Sequence, residues 1–282
     1  MITSRGDYAR SVEALTSSNG TAAYTSNTLN LVDCIPSTAC ALTWTSGAQS
    51  SSVWVQLPWR MTPAPTIECR VFALLGLVGI PAGVRVELYS GASIGALTQR
   101  SATEVVRLPN GTYGAWIVRD EGEGWTHEYW AWRIYNDDGD TSPIAASANL
   151  LVGELYASPA WQWDVGRWDT KVVMPHIINR ANSGAARKVK RDSYRTVDLT
   201  ITPQDWQTAM AGEDTLLDML YDLAQQDCVA IVPRPENRGD AGVNADVVPR
   251  TAMLADLTDA GGLAADAASD HYPLNLSFEE FL

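Results

Sequence analysis

Turn chemistry recurs at short intervals through the first half of this chain, and that spacing limits what the residues between can become. Pro63-Ala64-Pro65, Pro81-Ala82-Gly83, Asn110-Gly111 and Asp137-Asp138-Gly139-Asp140 act as separators. Between them lie runs at residues 53–57, 66–74, 83–89, 103–108, 112–118 and 130–135 that alternate apolar and polar side chains. Runs this short and this regular read as strands. In residues 83–89, Val84, Val86 and Leu88 share one face, while Arg85, Glu87 and Tyr89 share the other. Asn110-Gly111 between two such runs predicts a hairpin. Each strand has one apolar face that a second sheet must cover, so the series predicts a β-sandwich or jelly roll.

The second half reads differently. Residues 196–201 alternate, with Val197, Leu199 and Ile201 on one face, and further strands are expected at 228–232, 247–252 and 274–278. Helix signals join them. Thr202-Pro203-Gln204-Asp205 resembles a cap, a first-turn proline and an early acid. Residues 214–226 carry a stripe of Leu216, Leu217, Leu220, Leu223 and Ala224, with Asp218, Asp222 and Gln225 facing away. Ala157-Ser158-Pro159 marks a break. The chain of 282 residues is long enough for two domains. The expected organisation is therefore mainly β, with a sandwich over 1–156 and a second α+β unit over 157–282.

Charge is distributed unevenly. Residues 1–156 hold 9 Arg against 14 acids, 157–204 hold 8 basic against 4 acidic residues, and 205–282 hold 3 Arg against 15 acids. The basic centre is Arg187-Lys188-Val189-Lys190-Arg191, with Arg180 and Arg195 nearby. It reads either as a solvated hairpin or as an arm for an acidic partner. Another copy of the chain supplies such a partner, since the basic segment of one subunit can meet the acidic segment of the next, head to tail. The net charge of −13 argues against nucleic acid and against an anionic membrane as partners. No apolar run reaches the roughly 18 residues of a spanning helix.

The search for catalytic chemistry is negative. His127, His176 and His271 stand in no metal-ligand spacing, and the sequence has no nucleophile elbow, phosphate loop or dinucleotide fingerprint. The expectation is a protein that is not an enzyme and holds no metal or cofactor. Met1-Ile2-Thr3-Ser4-Arg5 lacks a basic region followed by an apolar one. Cys34, Cys40, Cys69 and Cys228 are therefore expected as free, mostly buried thiols. The chain has 11 Trp and 10 Tyr but only 3 Phe, a bias toward aromatics with a polar handle, which suit grooves as well as cores. Trp125, Trp130 and Trp132 stand beside Asp120, Glu121, Glu123 and Glu128. They are the candidates for stacking on a sugar ring; equally, the acids read as a solvated loop, and the period-two spacing of Trp130 and Trp132 suits a core face.

Two resemblances complete the reading. The segment Thr28-Leu29-Asn30-Leu31-Val32-Asp33-Cys34-Ile35-Pro36-Ser37-Thr38 resembles the opening signature of discoidin-like, galactose-binding-like jelly rolls. Val53-Trp54-Val55-Gln56-Leu57 is similar to their following strand, and Gly153-Glu154-Leu155-Tyr156 to their closing one. Residues 195–201, 216–224, 228–233 and the closing 272–280 are similar in layout to the belt domain of bacteriophage distal-tail and baseplate proteins. This resemblance implies a virion subunit made in the host cytoplasm. It implies a homo-oligomeric ring, hexameric by preference with a trimer as the alternative. The ring would join the tail tube to baseplate hub proteins and to tail fibres. Arg180, Arg187, Lys188, Lys190, Arg191 and Arg195 are its expected interface residues. The alternative is a carbohydrate-binding module of a virion or of a cell-surface adhesion protein.

Overall fold

The computed structural model of the chain describes all residues except 6–8, 46–51, 138–143, 146–147, 175, 181–185, 191–192, 213, 227, 237–241, 262–270 and 282. The fold is mainly β and its sheets are antiparallel. The strands of the first half are β1 (Ile2–Ser4), β2 (Ala9–Val12), β3 (Thr16–Ser17), β4 (Thr21–Tyr24), β5 (Cys40–Thr45), β6 (Trp54–Thr62) and β7 (Cys69–Leu75). They continue with β8 (Arg85–Gly91), β9 (Thr98–Glu104), β10 (Val106–Arg107), β11 (Tyr113–Val118), β12 (Tyr129–Tyr135), β13 (Ala148–Val152) and β14 (Glu154–Gln162). The second half adds β15 (Val165–Val173), β16 (His176–Arg180), β17 (Ala186–Lys190), β18 (Tyr194–Asp205), β19 (Val229–Val232), β20 (Met253–Ala260) and β21 (His271–Glu280). Its helices are α1 (Trp206–Met210), α2 (Leu216–Ala224) and α3 (Val248–Thr251).

Two large sheets dominate. One has the order β2-β6-β12-β8-β9, with β3 also on β6. The other runs β10-β11-β7-β14-β1-β19-β20-β21-β18-β15. A small sheet β13-β5-β4 completes the first half. The period-two faces explain the packing. Val55, Leu57 and Trp59 of β6, Val86 and Leu88 of β8 and Trp130, Trp132 and Ile134 of β12 all turn one way. They meet Phe72 and Leu74 of β7, Ile117 of β11 and Leu155 of β14 in a single apolar cluster. The hairpin expected at Asn110-Gly111 joins β10 to β11, with Gly111 at φ +89°, a backbone conformation that favours glycine.

β7 is buried on both faces, which is why its sequence is a near-continuous apolar run. Val71, Ala73 and Leu75 point away from the sandwich and pack with Ile2, Ala230, Val232, Leu254 and Val248 in a second cluster. The ten-stranded sheet therefore curls, and this cluster fills the inside of the curl. β1 sits at the bend, pairing with β14 on one side and β19 on the other. The expected boundary at 156/157 falls inside β14, and residues 2–4 join both halves. On the far face of β18–β21, helices α1 and α2 cover a third cluster that includes Val197, Leu199, Ile201, Leu216, Met219 and Leu223.

Local differences from the sequence reading have clear causes. Thr202 caps no helix: β18 runs on to Asp205 with a register shift between Ile201 and Gln204, and Pro203 lies in that irregular stretch, where a missing N–H is tolerated. Asp205 Oδ1 instead accepts from the Thr208 amide at 2.8 Å, at the start of α1. Residues 247–252 contain the short helix α3 rather than a strand, with Pro near its start. In α2 the buried residues are Leu216, Met219 and Leu223, while Ala224 is exposed.

The start of α2 is held by a capping box: Thr215 Oγ1 accepts from the Asp218 amide at 3.1 Å and Asp218 Oδ2 accepts from the Thr215 amide at 2.9 Å. The Thr215 hydroxyl, followed by its amide, holds the Asp218 carboxyl below its ordinary value. That contribution is complete above about pH 4, the ordinary carboxylate value, and fades as pH falls through the depressed one. Thr215→Ala is expected to cost about 1 kcal/mol at pH 7, read as a shift of the denaturant midpoint. The gap from wild type should narrow in acid.

Candidate assembly interface

β18 and β15 form a long antiparallel ribbon, with Val165 opposite Ile201 and Val173 opposite Tyr194. β18 buries every second residue, so Arg195, Val197, Leu199 and Ile201 face the core. β15 is different. It ends the ten-stranded sheet, and residues 166–172 are exposed on both of its faces. Among the described residues no strand pairs with its outer edge. One of its faces carries Trp168, Thr170 and Val172, the other Arg167, Asp169 and Lys171. Trp168 is 38% exposed, Val172 61% and the following Met174 74%. Lys171 Nζ donates to Asp198 across the ribbon at 2.8 Å. A nine-residue edge strand with unfilled backbone hydrogen-bonding positions is a template for another chain.

The ribbon continues as a second hairpin. β16 pairs with β17, placing His176 opposite Lys190, Ile178 opposite Lys188 and Arg180 opposite Ala186. Arg180, Arg187, Lys188 and Lys190 thus stand on one two-stranded arm that shares no hydrogen-bonded ladder with the large sheets. Arg191 lies outside the described residues.

Arg195 does not belong with them. Its Nη2 and Nε donate to Glu280 Oε1 and Oε2 at 2.6 and 2.9 Å, and Nη2 also donates to the Ala252 carbonyl at 2.8 Å. Both side chains are almost fully enclosed, 6% and 3% exposed. The expectation that Arg195 meets a neighbouring subunit is corrected: its parity on β18 turns it inward, onto the end of its own chain.

Two of the expected sugar contacts are corrected as well. Trp130 and Trp132 are completely buried in the sandwich, because β12 is a central strand and they share its core face with Ile134. Trp125 is half-buried, with Phe72 at 5.7 Å on one side and the Arg119 guanidinium at 5.6 Å. Three of the four neighbouring acids are engaged: Glu128 pairs with Arg60 and Glu123 with Arg119, and Asp120 accepts from the Val243 amide at 3.1 Å. A polar cleft of about 530 Å³ opens at the base of β15, where Trp163, Asp164 and Trp168 face Asp120, Arg234 and Glu236. Its walls come from segments far apart in sequence, Met1, Asp120, residues 162–168, residues 233–236 and Gly242, so no local pattern marks it. Among the described residues, no helix is long and apolar enough to cross a membrane, and no cluster of three His, Cys, Asp or Glu is placed to hold a metal. No protein-family model matches the chain, and no curated protein sequence matches it.

Proposed function

We propose that the chain is a structural subunit of a bacteriophage tail tip or baseplate, of the distal-tail type. In this reading copies join head to tail into a ring, six by preference, that connects the tail tube to the tip and receptor-binding parts. The observation that carries it is the exposed edge of β15, extended by the basic hairpin arm β16–β17. The arm's basic sequence is set against a C-terminal segment with 3 Arg and 15 acids, so one subunit offers each sign to the next. The discoidin-like resemblance gains support from contact between its separate segments: the Cys34 amide donates to Glu154 Oε2 at 2.8 Å. A jelly-roll first unit and an α+β belt unit that share the curled sheet are part of this proposal.

Light scattering on the eluting protein should report a closed oligomer at low salt. Replacing Arg187, Lys188, Lys190 and Arg191 together by Glu should weaken association at least about tenfold, or about 1.4 kcal/mol, with the melting temperature unchanged. Added salt should act in the same direction, because exposed charges are screened beyond roughly 8 Å at physiological ionic strength. A chain that remains monomeric at high concentration and low salt, or a quadruple variant that assembles like the wild type, removes the ring-by-arm reading.

A further inference from the structure

A buried polar cluster lies where the two halves of the chain meet. Arg10, on β2, donates to Glu154 Oε1 at 2.7 Å, to the Leu155 carbonyl at 3.0 Å and to Cys34 Sγ at 2.8 Å. Its guanidinium lies 4.8 Å from the Tyr156 ring centroid. Cys34 itself is held at φ +63°, a left-handed conformation that non-glycine residues rarely adopt. Two features fix it there. The Glu154 carboxylate grips its amide, and the Pro36 carbonyl rests where a Cβ at Gly76 or Gly153 would stand. Cys228, just before β19, is the cysteine that acts electrostatically on Cys34. Both residues belong to the apolar cluster inside the curl. Cys228 is buried, whereas Cys34 is partly open to solvent.

We propose that Cys34 and Cys228 are a hydroperoxide-sensitive thiol pair that closes to a disulfide joining the two halves of the curled sheet. The pair is asymmetric. The Cys228 thiol and the charge of Arg10 bring Cys34 down to about 6, against the opposing effects of burial and of Asp33. Burial pushes Cys228 up. Cys34 is thus the thiolate and the better nucleophile, and Cys228 the resolving thiol. The Cys34 sulfur attacks one peroxide oxygen; the O–O bond breaks, an S–O bond forms and hydroxide (or alkoxide) departs. The Cys228 sulfur then attacks the Cys34 sulfenic acid. The S–S bond forms, the S–O bond breaks, and the Cys228 proton leaves in the released water. The hydroperoxide accepts the two electrons that the sulfurs lose. Cys69 is also deeply buried, and burial raises it strongly with no basic group to oppose the shift. It serves as an internal control.

The test uses the full chain, treated with hydrogen peroxide, quenched with an alkylating agent and mapped by peptide mass spectrometry. Two of the four thiols should disappear, the intact mass should fall by two hydrogens, and one cross-linked peptide should contain Cys34 and Cys228. Dithiothreitol should restore both thiols. In Cys228→Ser, Cys34 should instead accumulate as a sulfenic acid trapped by dimedone. The idea is overturned if Cys34 remains fully alkylated after peroxide, or if its cross-link runs to another chain or to Cys40 or Cys69. The wild-type map decides even if the serine variant does not fold.

Discussion

Arg195→Ala is expected to destabilise the fold by about 3–5 kcal/mol, a large share of the roughly 5–15 kcal/mol that holds a typical domain together. Truncation leaves the Glu280 carboxylate 3% exposed with its guanidinium partner gone. Among the described residues, the Arg195 amide at 3.0 Å and the Asn110 side chain at 3.3 Å would still reach it. The Ala252 and Arg250 carbonyls, which accept from the same guanidinium, lose a donor as well. Replacing both Arg195 and Glu280 by apolar residues of similar size should recover most of the loss, because no buried charge then remains. Urea unfolding of the single and double variants checks this directly. A single variant that melts like the wild type but no longer assembles would restore Arg195 to the subunit interface.

Trp132→Ala should cost a similar amount, about 3–5 kcal/mol. The side chain is fully buried between the sheets and packs in the cluster with Trp130, Ile134 and Leu57. Its indole N–H has no hydrogen-bond partner among the described residues. Trp132→Phe therefore gives up volume without orphaning an acceptor, and should cost less than half as much. The measurement is again the unfolding midpoint. A Trp132→Ala protein of wild-type stability that has lost binding on a glycan array would reinstate the sugar-stacking role.

Within the first half β6, β8, β11 and β12 were legible because apolar and polar side chains alternate along them, a rule that sequence displays openly, although the fold then buries most of both faces. β1–β5, β13 and β14 escaped it. Val84, Val86 and Leu88 sit where that rule puts them. The same rule also held the answer for Arg195, which shares parity with Val197, Leu199 and Ile201, although its charge suggested a surface role. β15 escaped notice because both of its faces are open, so no alternation exists to read. β20 escaped because Asp256 and Asp259 break the apolar pattern in its exposed second half. Residues 247–252 are rich in valine, which favours strands, but Pro249 near the start suits a helical turn instead. The Arg10, Cys34, Glu154 and Cys228 cluster draws on four distant segments. No local spacing announces it.

The position of β1 has a consequence for biosynthesis. Ile2 is synthesised well before its two partners, Gln162 and Val232, to which it pairs over long stretches of sequence. Until then the strand has nowhere to go, and the inner cluster cannot close around Ile2. Closure of the inner cluster should therefore be a late step of folding, gated by long-range pairing.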